Sequence, residues 1–151
     1  DWSDVMRFAE ILKEDAQPAG LNLQIKPMPV SRYWEKWTEV GLGITPWTHR
    51  SLSTMVLNLA YGVDDEGRPV AWNETRWVDQ EFIELLNQAN GILDVGRRKE
   101  IFCKLEKIQQ ERGSIGIPFW QNLWTITKKS VKGFEAHPNL YMLFNEAYLE
   151  A

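Results

Sequence analysis

The stretch AEILKEDAQPAGLNLQIKPMPVSRYWEKW, residues 9–37, decides the architecture. Val5, Phe8, Ala9 and Leu12 recur at the spacing of one helical face behind a candidate N-cap at Ser3 or Asp4, and Pro18 with Gly20 closes that helix. Leu21, Leu23 and Ile25 then alternate with Asn22, Gln24 and Lys26, the two-residue period of a half-buried strand, until Pro27 and Pro29 interrupt it. Ser31 to Val40 reads as a second helix carrying Tyr33, Trp34 and Trp37. Gly41 and Gly43 release it into a second strand, Leu42 to Trp47, ending near Pro46. Helix, strand, helix and strand with short connections predict an α/β fold with parallel neighbours. In such folds ligands lie beyond the carboxyl ends of the strands, a position taken here by ITPWTHR, residues 44–50.

Further along, Ser53 to Ala60 predicts a short helix and Val63 to Pro69 a polar turn. Asp79 is placed to cap a helix whose inward face is Phe82, Ile83, Leu86 and Ala89, ended by Gly91. Asp94 caps the next, with Ile101, Leu105 and Ile108 on one side and Gly113 after its basic end. Ile115, Ile117 and Phe119 alternate, Leu123 to Thr127 is β-branched and aromatic, and Val131 to Phe134 turns through Gly133, so the chain returns to strand before a last segment at Leu140 to Tyr148.

With 151 residues, 44% of them apolar, the chain is long enough for one domain. A net charge of -4 from 17 basic and 21 acidic residues, without a basic block, excludes a nucleic-acid binder. No apolar run approaches the roughly 18 to 20 residues that a bilayer needs. One Cys excludes an internal disulfide and a Cys-rich zinc site. The chain opens at Asp1 without Met or a signal segment, and so reads as a processed or excised piece.

Dinucleotide, P-loop and zincin motifs are missing, no metal or cofactor is expected, and the two histidines, His49 and His137, stand far apart. His137, before a Pro, reads as a turn residue. Cys103 lies mid-helix, away from any group that would favour its thiolate, and reads as a packing residue. Two groups remain. Trp47, His49 and Arg50 follow the second strand, and Trp72, Asn73, Arg76 and Trp77 share a non-helical segment. An indole stacks on a ligand face, Arg offers a forked donor to a carboxylate, and Asn both donates and accepts. Trp47, His49, Arg50, Trp72 and Asn73 are therefore the candidate ligand-binding residues, whereas Trp34, Trp37, Trp120 and Trp124 read as core or interface packing.

Three stretches resemble the C-terminal part of the peptide-type solute-binding proteins of ABC importers, bacterial extracellular solute-binding family 5. They are Ala9 to Trp37; Trp72 to Trp120, with its helical pair and IPF strand; and VKGFEAHPN, Val131 to Asn139. The resemblance implies a truncated lobe of a periplasmic-binding-protein-like two-lobe fold of type II. About 1–115 would belong to the second lobe, and about 116–151 would cross over and return toward a missing N-terminal lobe. It implies a periplasmic or lipid-anchored receptor, not an enzyme, working with a permease and an ATPase. The Trp that follows the strand in the family carries over as Trp47, but the Asp that takes a peptide's amino group does not. His49 and Arg50 stand there instead, so an anionic or carboxylate-bearing solute is as well suited as a peptide, and His49 would be the one plausible protein contact for a nickel chelate. The rival readings are a carbohydrate-binding module using exposed Trp and a glycoside hydrolase with a carboxyl pair in a cleft.

Overall fold

Helix capping and helix-face burial organise the computed structural model, which describes residues 3–150. The order is α1 (Ser3–Ala16), a 3-10 turn (Gln17–Ala19), α2 (Val30–Lys36), α3 (Ser53–Tyr61), α4 (Gln80–Asn90), α5 (Val95–Arg112), β1 (Val131–Lys132) and β2 (Tyr148–Leu149). The Asp79 carboxylate accepts the Phe82 backbone N–H at 2.9 Å at the start of α4, and Asp94 accepts that of Arg97 at 2.8 Å at the start of α5. Both caps stand where the sequence places them, because a short carboxylate satisfies an N–H that the first helical turn leaves open.

The core lies between these two helices. Phe82, Ile83, Leu85, Leu86 and Ala89 of α4 meet Ile101, Leu105 and Ile108 of α5. Leu57 and Tyr61 of α3, with Trp77 and Phe102, close its margin. Ring edges meet ring faces at that margin: Trp77 and Phe82 are 5.1 Å apart between centroids, and Tyr61 and Phe82 6.1 Å. Arg112 at the end of α5 donates to the Asp79 carboxylate at 2.6 and 3.2 Å, so one acidic side chain both caps α4 and ties it to the far end of α5.

The amino-terminal unit keeps the predicted helix but not the predicted strand. Val5, Phe8, Ala9 and Leu12 are half-buried and Ala16 is buried, the face the periodicity selects. Gly20 sits at φ 81°, where a side chain would be strained, and its N–H closes the turn on the Gln17 carbonyl at 2.9 Å. Leu23 and Ile25 are then half-buried between exposed neighbours but Leu21 is exposed, so the alternation survives in part in burial, yet 21–29 is not strand. Likewise 42–47 forms no strand. A period of two describes which side chains turn inward; a strand also needs a hydrogen-bonded neighbour, and among the described residues neither segment has one.

The expectation of parallel neighbouring strands is corrected accordingly. The described residues contain one sheet, of two short antiparallel strands, in which Val131 faces Leu149 and Lys132 faces Tyr148. Gly133 allows it: at φ 67°, a Cβ there would lie 2.1 Å from the Glu146 carbonyl oxygen. The stretch from Ile115 through Thr127 also lacks strand pairing, and every residue from Gly116 to Lys129 is exposed. Trp120 and Trp124 remain 86% and 83% exposed, so neither is a core residue. Cys103 is exposed too, on the outer side of α5, rather than packed. His137 does occupy a turn: its Nδ1 accepts the Asn139 N–H at 3.1 Å and its ring stacks on Tyr141 at 5.2 Å.

Candidate functional site

Three separate segments deliver one aromatic corner. Trp37 ends α2, Trp47 lies on the extended stretch that follows Gly43, and Trp72 lies in the turn between Val70 and Trp77. Their ring centroids form a near-equilateral triangle, with Trp37–Trp47 at 6.2 Å, Trp37–Trp72 at 6.3 Å and Trp47–Trp72 at 6.2 Å. The rings are steeply inclined to one another, the arrangement that sets a positive ring edge against a negative face. Trp34 extends the group, 5.3 Å from Trp37, and Tyr33 packs against Trp34 at 5.6 Å.

Glu74 is the polar centre of this corner. Its Oε1 accepts the Trp47 indole N–H at 2.9 Å, its Oε2 accepts the Thr45 hydroxyl, and the Tyr33 hydroxyl lies 2.6 Å from the same Thr45 oxygen. One carboxylate thereby joins α2, the 44–50 stretch and the 70–77 turn. Burial pushes the Tyr33 phenol above its ordinary value; its hydrogen bond with Thr45 opposes the shift and the nearby Glu74 charge adds to it. Burial, with the Glu74 charge as a second cause, pushes Tyr61 up to about 12.

The turn that carries Trp72 and Glu74 is held by Asn73. This side chain is 2% exposed; its Nδ2 donates to the Trp77 carbonyl at 3.0 Å and its Oδ1 accepts the Thr75 hydroxyl at 3.2 Å. Both ends of its amide thus take part in holding the turn, and the side chain is buried within it. Arg76 adopts φ 53° in the same turn and donates to the Glu74 main-chain oxygen at 3.4 Å.

Of the other expected residues, Trp47 and Trp72 come together, the first half-buried and the second 48% exposed. His49 is exposed. The Arg50 guanidinium folds back on its own loop, where it donates to the Thr48 hydroxyl and to the Thr48 and His49 carbonyls at 3.3 and 3.2 Å. It has no carboxylate partner among the described residues. A cavity of about 340 Å³ opens immediately after Arg50, lined by Ser51, Ser53 and Thr54 on one side and Arg98 and Lys99 on the other. No cluster of three metal-ligating side chains occurs among the described residues, and no helix there is long and apolar enough to cross a membrane.

Sequence reasoning did not single out Glu74, Thr45 or Tyr33, and it assigned Trp37 to packing. The available signal was position: Glu74 is an acidic residue in a non-helical turn between two tryptophans, where no Lys or Arg at helical spacing accounts for it.

No protein-family model matches the chain, and no curated protein matches it. Among solved structures, HbpA2 from Haemophilus parasuis is similar to it in fold, with a TM-score of 0.69 at 20% sequence identity. The match covers 96% of this chain and 29% of HbpA2. Nearly all of the chain therefore follows the fold of a minor part of a much longer protein.

Proposed function

We propose that the chain is part of the solute-binding component of an ABC importer, taking a peptide-like or carboxylate-bearing small solute between two lobes. The observation that carries this reading is the convergence of Trp47 and Trp72, from segments far apart in sequence, to 6.2 Å. Arg50, without a carboxylate partner among the described residues, supplies a cation three positions from Trp47. The fold likeness to part of HbpA2 and the family 5 resemblance support the same reading.

In this reading the chain belongs to one lobe, and the exposed run 116–129 runs toward a companion lobe. The receptor resides in the periplasm, or is lipid-anchored outside the cell, and hands its solute to a permease and ATPase without chemical change. Micromolar capture corresponds to about -8 kcal/mol. A stacked indole and a desolvated guanidinium reach that value when a second lobe excludes water from them, which is what hinge closure provides; periplasmic binding proteins are a standard case of such closure.

The test is calorimetric titration of the full gene product with amino acids, short peptides and organic carboxylates. One of these is expected to bind, with affinity lost in Trp47→Ala and reduced in Arg50→Ala. Binding that neither substitution changes contradicts the site. A second reading, a carbohydrate-binding module, draws on the exposure of Trp120 and Trp124; it requires saccharide binding that is lost in Trp120→Ala and indifferent to Trp47.

A further inference from the structure

A half-buried guanidinium on α5 has no carboxylate partner. Arg98 donates to the Ile92 carbonyl at 3.3 Å, and neither it nor the exposed Lys99 forms a salt bridge among the described residues. Arg97 precedes them, so three cations stand in a row near the start of α5, whose first turn holds no acidic residue. The field of a helix is positive at that end, where it opposes cations rather than balancing them. Taking a guanidinium partly out of water without a counter-charge adds to the cost. A bound anion relieves both.

Arg98 and Lys99 line the cavity of about 340 Å³ between the 51–54 stretch and one face of α5, a volume in the range of small-molecule sites. Arg98, Phe102 and Glu106 follow one another along that face at four-residue spacing. Glu106 therefore stands about 12 Å from Arg98 along the helix axis, at a rise of about 1.5 Å per residue. The wall has a cationic end and an acidic end, with an aromatic ring between them. Ser51, Ser53 and Thr54, each carrying a hydroxyl, line the facing side.

We propose that this cavity binds a phosphate monoester, its phosphate held by Arg98 and Lys99 and its body laid along Phe102 toward Glu106. Such a phosphate carries about 1.5 to 2 negative charges at pH 7, which matches two cations where a carboxylate matches one. Its three terminal oxygens have room for the guanidinium fork, the ammonium and the hydroxyls together. At the other end Glu106 accepts from hydroxyls of the ligand's body and repels a second anionic group. The inference goes beyond the solute reading, because neither Arg50 nor Trp47 nor Trp72 lines this cavity.

The probes are glycerol 3-phosphate, glycerate, which carries a carboxylate in place of the phosphate, and glycerol. Each is titrated at fixed ionic strength into the 151-residue chain while the backbone amide resonances of Ser53, Thr54 and Lys99 and the indole N–H of Trp47 are followed by NMR. Glycerol 3-phosphate is expected to shift the three amides saturably, at least about tenfold more tightly than glycerate, and to leave the Trp47 indole in place. Glycerol is expected to move none of them. Arg98→Ala is expected to weaken glycerol 3-phosphate by at least about tenfold; should that variant not fold, Lys99→Ala, at an exposed position, decides with the same expected loss. If glycerol 3-phosphate leaves the amides unmoved but the chain is retained on phosphatidic acid vesicles and not on phosphatidylcholine vesicles, the phosphate is that of a lipid headgroup and the site stands. Equal binding of glycerol 3-phosphate and glycerate overturns the phosphate site, as does binding that these substitutions leave unchanged. Movement of the Trp47 indole together with the amides overturns its independence from the solute site. Silence toward glycerol 3-phosphate and both vesicles overturns the proposal and leaves the solute-site reading untouched.

Discussion

In the α4–α5 pair Phe82, Leu86 and Leu105 are 1% exposed or less, whereas in the tryptophan corner Trp72 remains 48% exposed and Trp47 half-buried. The helix pair is held by apolar burial and by two side-chain caps, each closed by a carboxylate from the adjoining loop. The corner is held by ring edges and by one carboxylate that spans three segments. The first arrangement leaves little for a ligand to gain. The second keeps aromatic surface and charge in reserve, and the cost of that reserve falls on local rather than global stability.

Substitutions at matched positions should separate the two regions. Leu86→Ala, inside the helix pair, is expected to lower unfolding free energy by about 2 to 5 kcal/mol, read by urea denaturation. Trp72→Ala is expected to lower it by less, because much of that ring is already in water, while abolishing the indole response to solutes. An equal loss at both positions would show that the corner is simply more core.

Asp79→Ala comes next in size. It removes the α4 cap and the acceptor for Arg112 together, with an expected loss of about 1 to 2 kcal/mol in the same assay. The same residue sets an acid limb. The Arg112 hydrogen bonds, helped by the Phe82 N–H, hold the Asp79 carboxyl below its ordinary range, against the effect of burial. Its contribution is therefore present above the unfolded value of 3.8 and is lost as pH falls through the lower folded value. Asp79→Asn, which can still cap, should flatten that acid limb. An unchanged limb would remove Asp79 from the account.

The opposite limb belongs to the margin shared by core and corner. Tyr61, raised from 10.0 to about 12, favours the folded state fully below pH 10 and loses that contribution as pH rises toward 12. Tyr61→Phe should show a shallower alkaline loss in thermal melts recorded from pH 9 upward. The smallest effect is expected at Arg50: Arg50→Ala, on an exposed loop contact, should change stability by no more than about 0.5 kcal/mol while weakening carboxylate binding.

The same contrast explains what could be read in advance. Helices α1, α3, α4 and α5 were legible because burial, caps and period are local, and Asp79 and Asp94 announced their helices from one position. The strands at 21–26, 42–47 and 115–127 were not, since pairing depends on a neighbour that alternation does not specify. Trp47 and Trp72 were legible as residue types, but their meeting was not, because it depends on how a turn stapled by Asn73 returns to α2. The turn role of Asn73 was hidden for a related reason: the amide that would suit a ligand also closes a turn, and residue type does not say that it is buried there. Glu74 escaped notice because carboxylates are common on surfaces, and only its neutral partners distinguish it.

The central claim is that the tryptophan corner is half of a solute clamp, and comparing affinities measures it most directly. A solute that binds the full gene product is titrated in parallel into the 151-residue chain, with indole fluorescence as the common signal. The account predicts binding to the chain at least about 100-fold weaker, since one lobe alone cannot exclude water from the indoles and charges. Equal affinity for the two, or binding by the full product that leaves the indoles of this chain unperturbed, would contradict it.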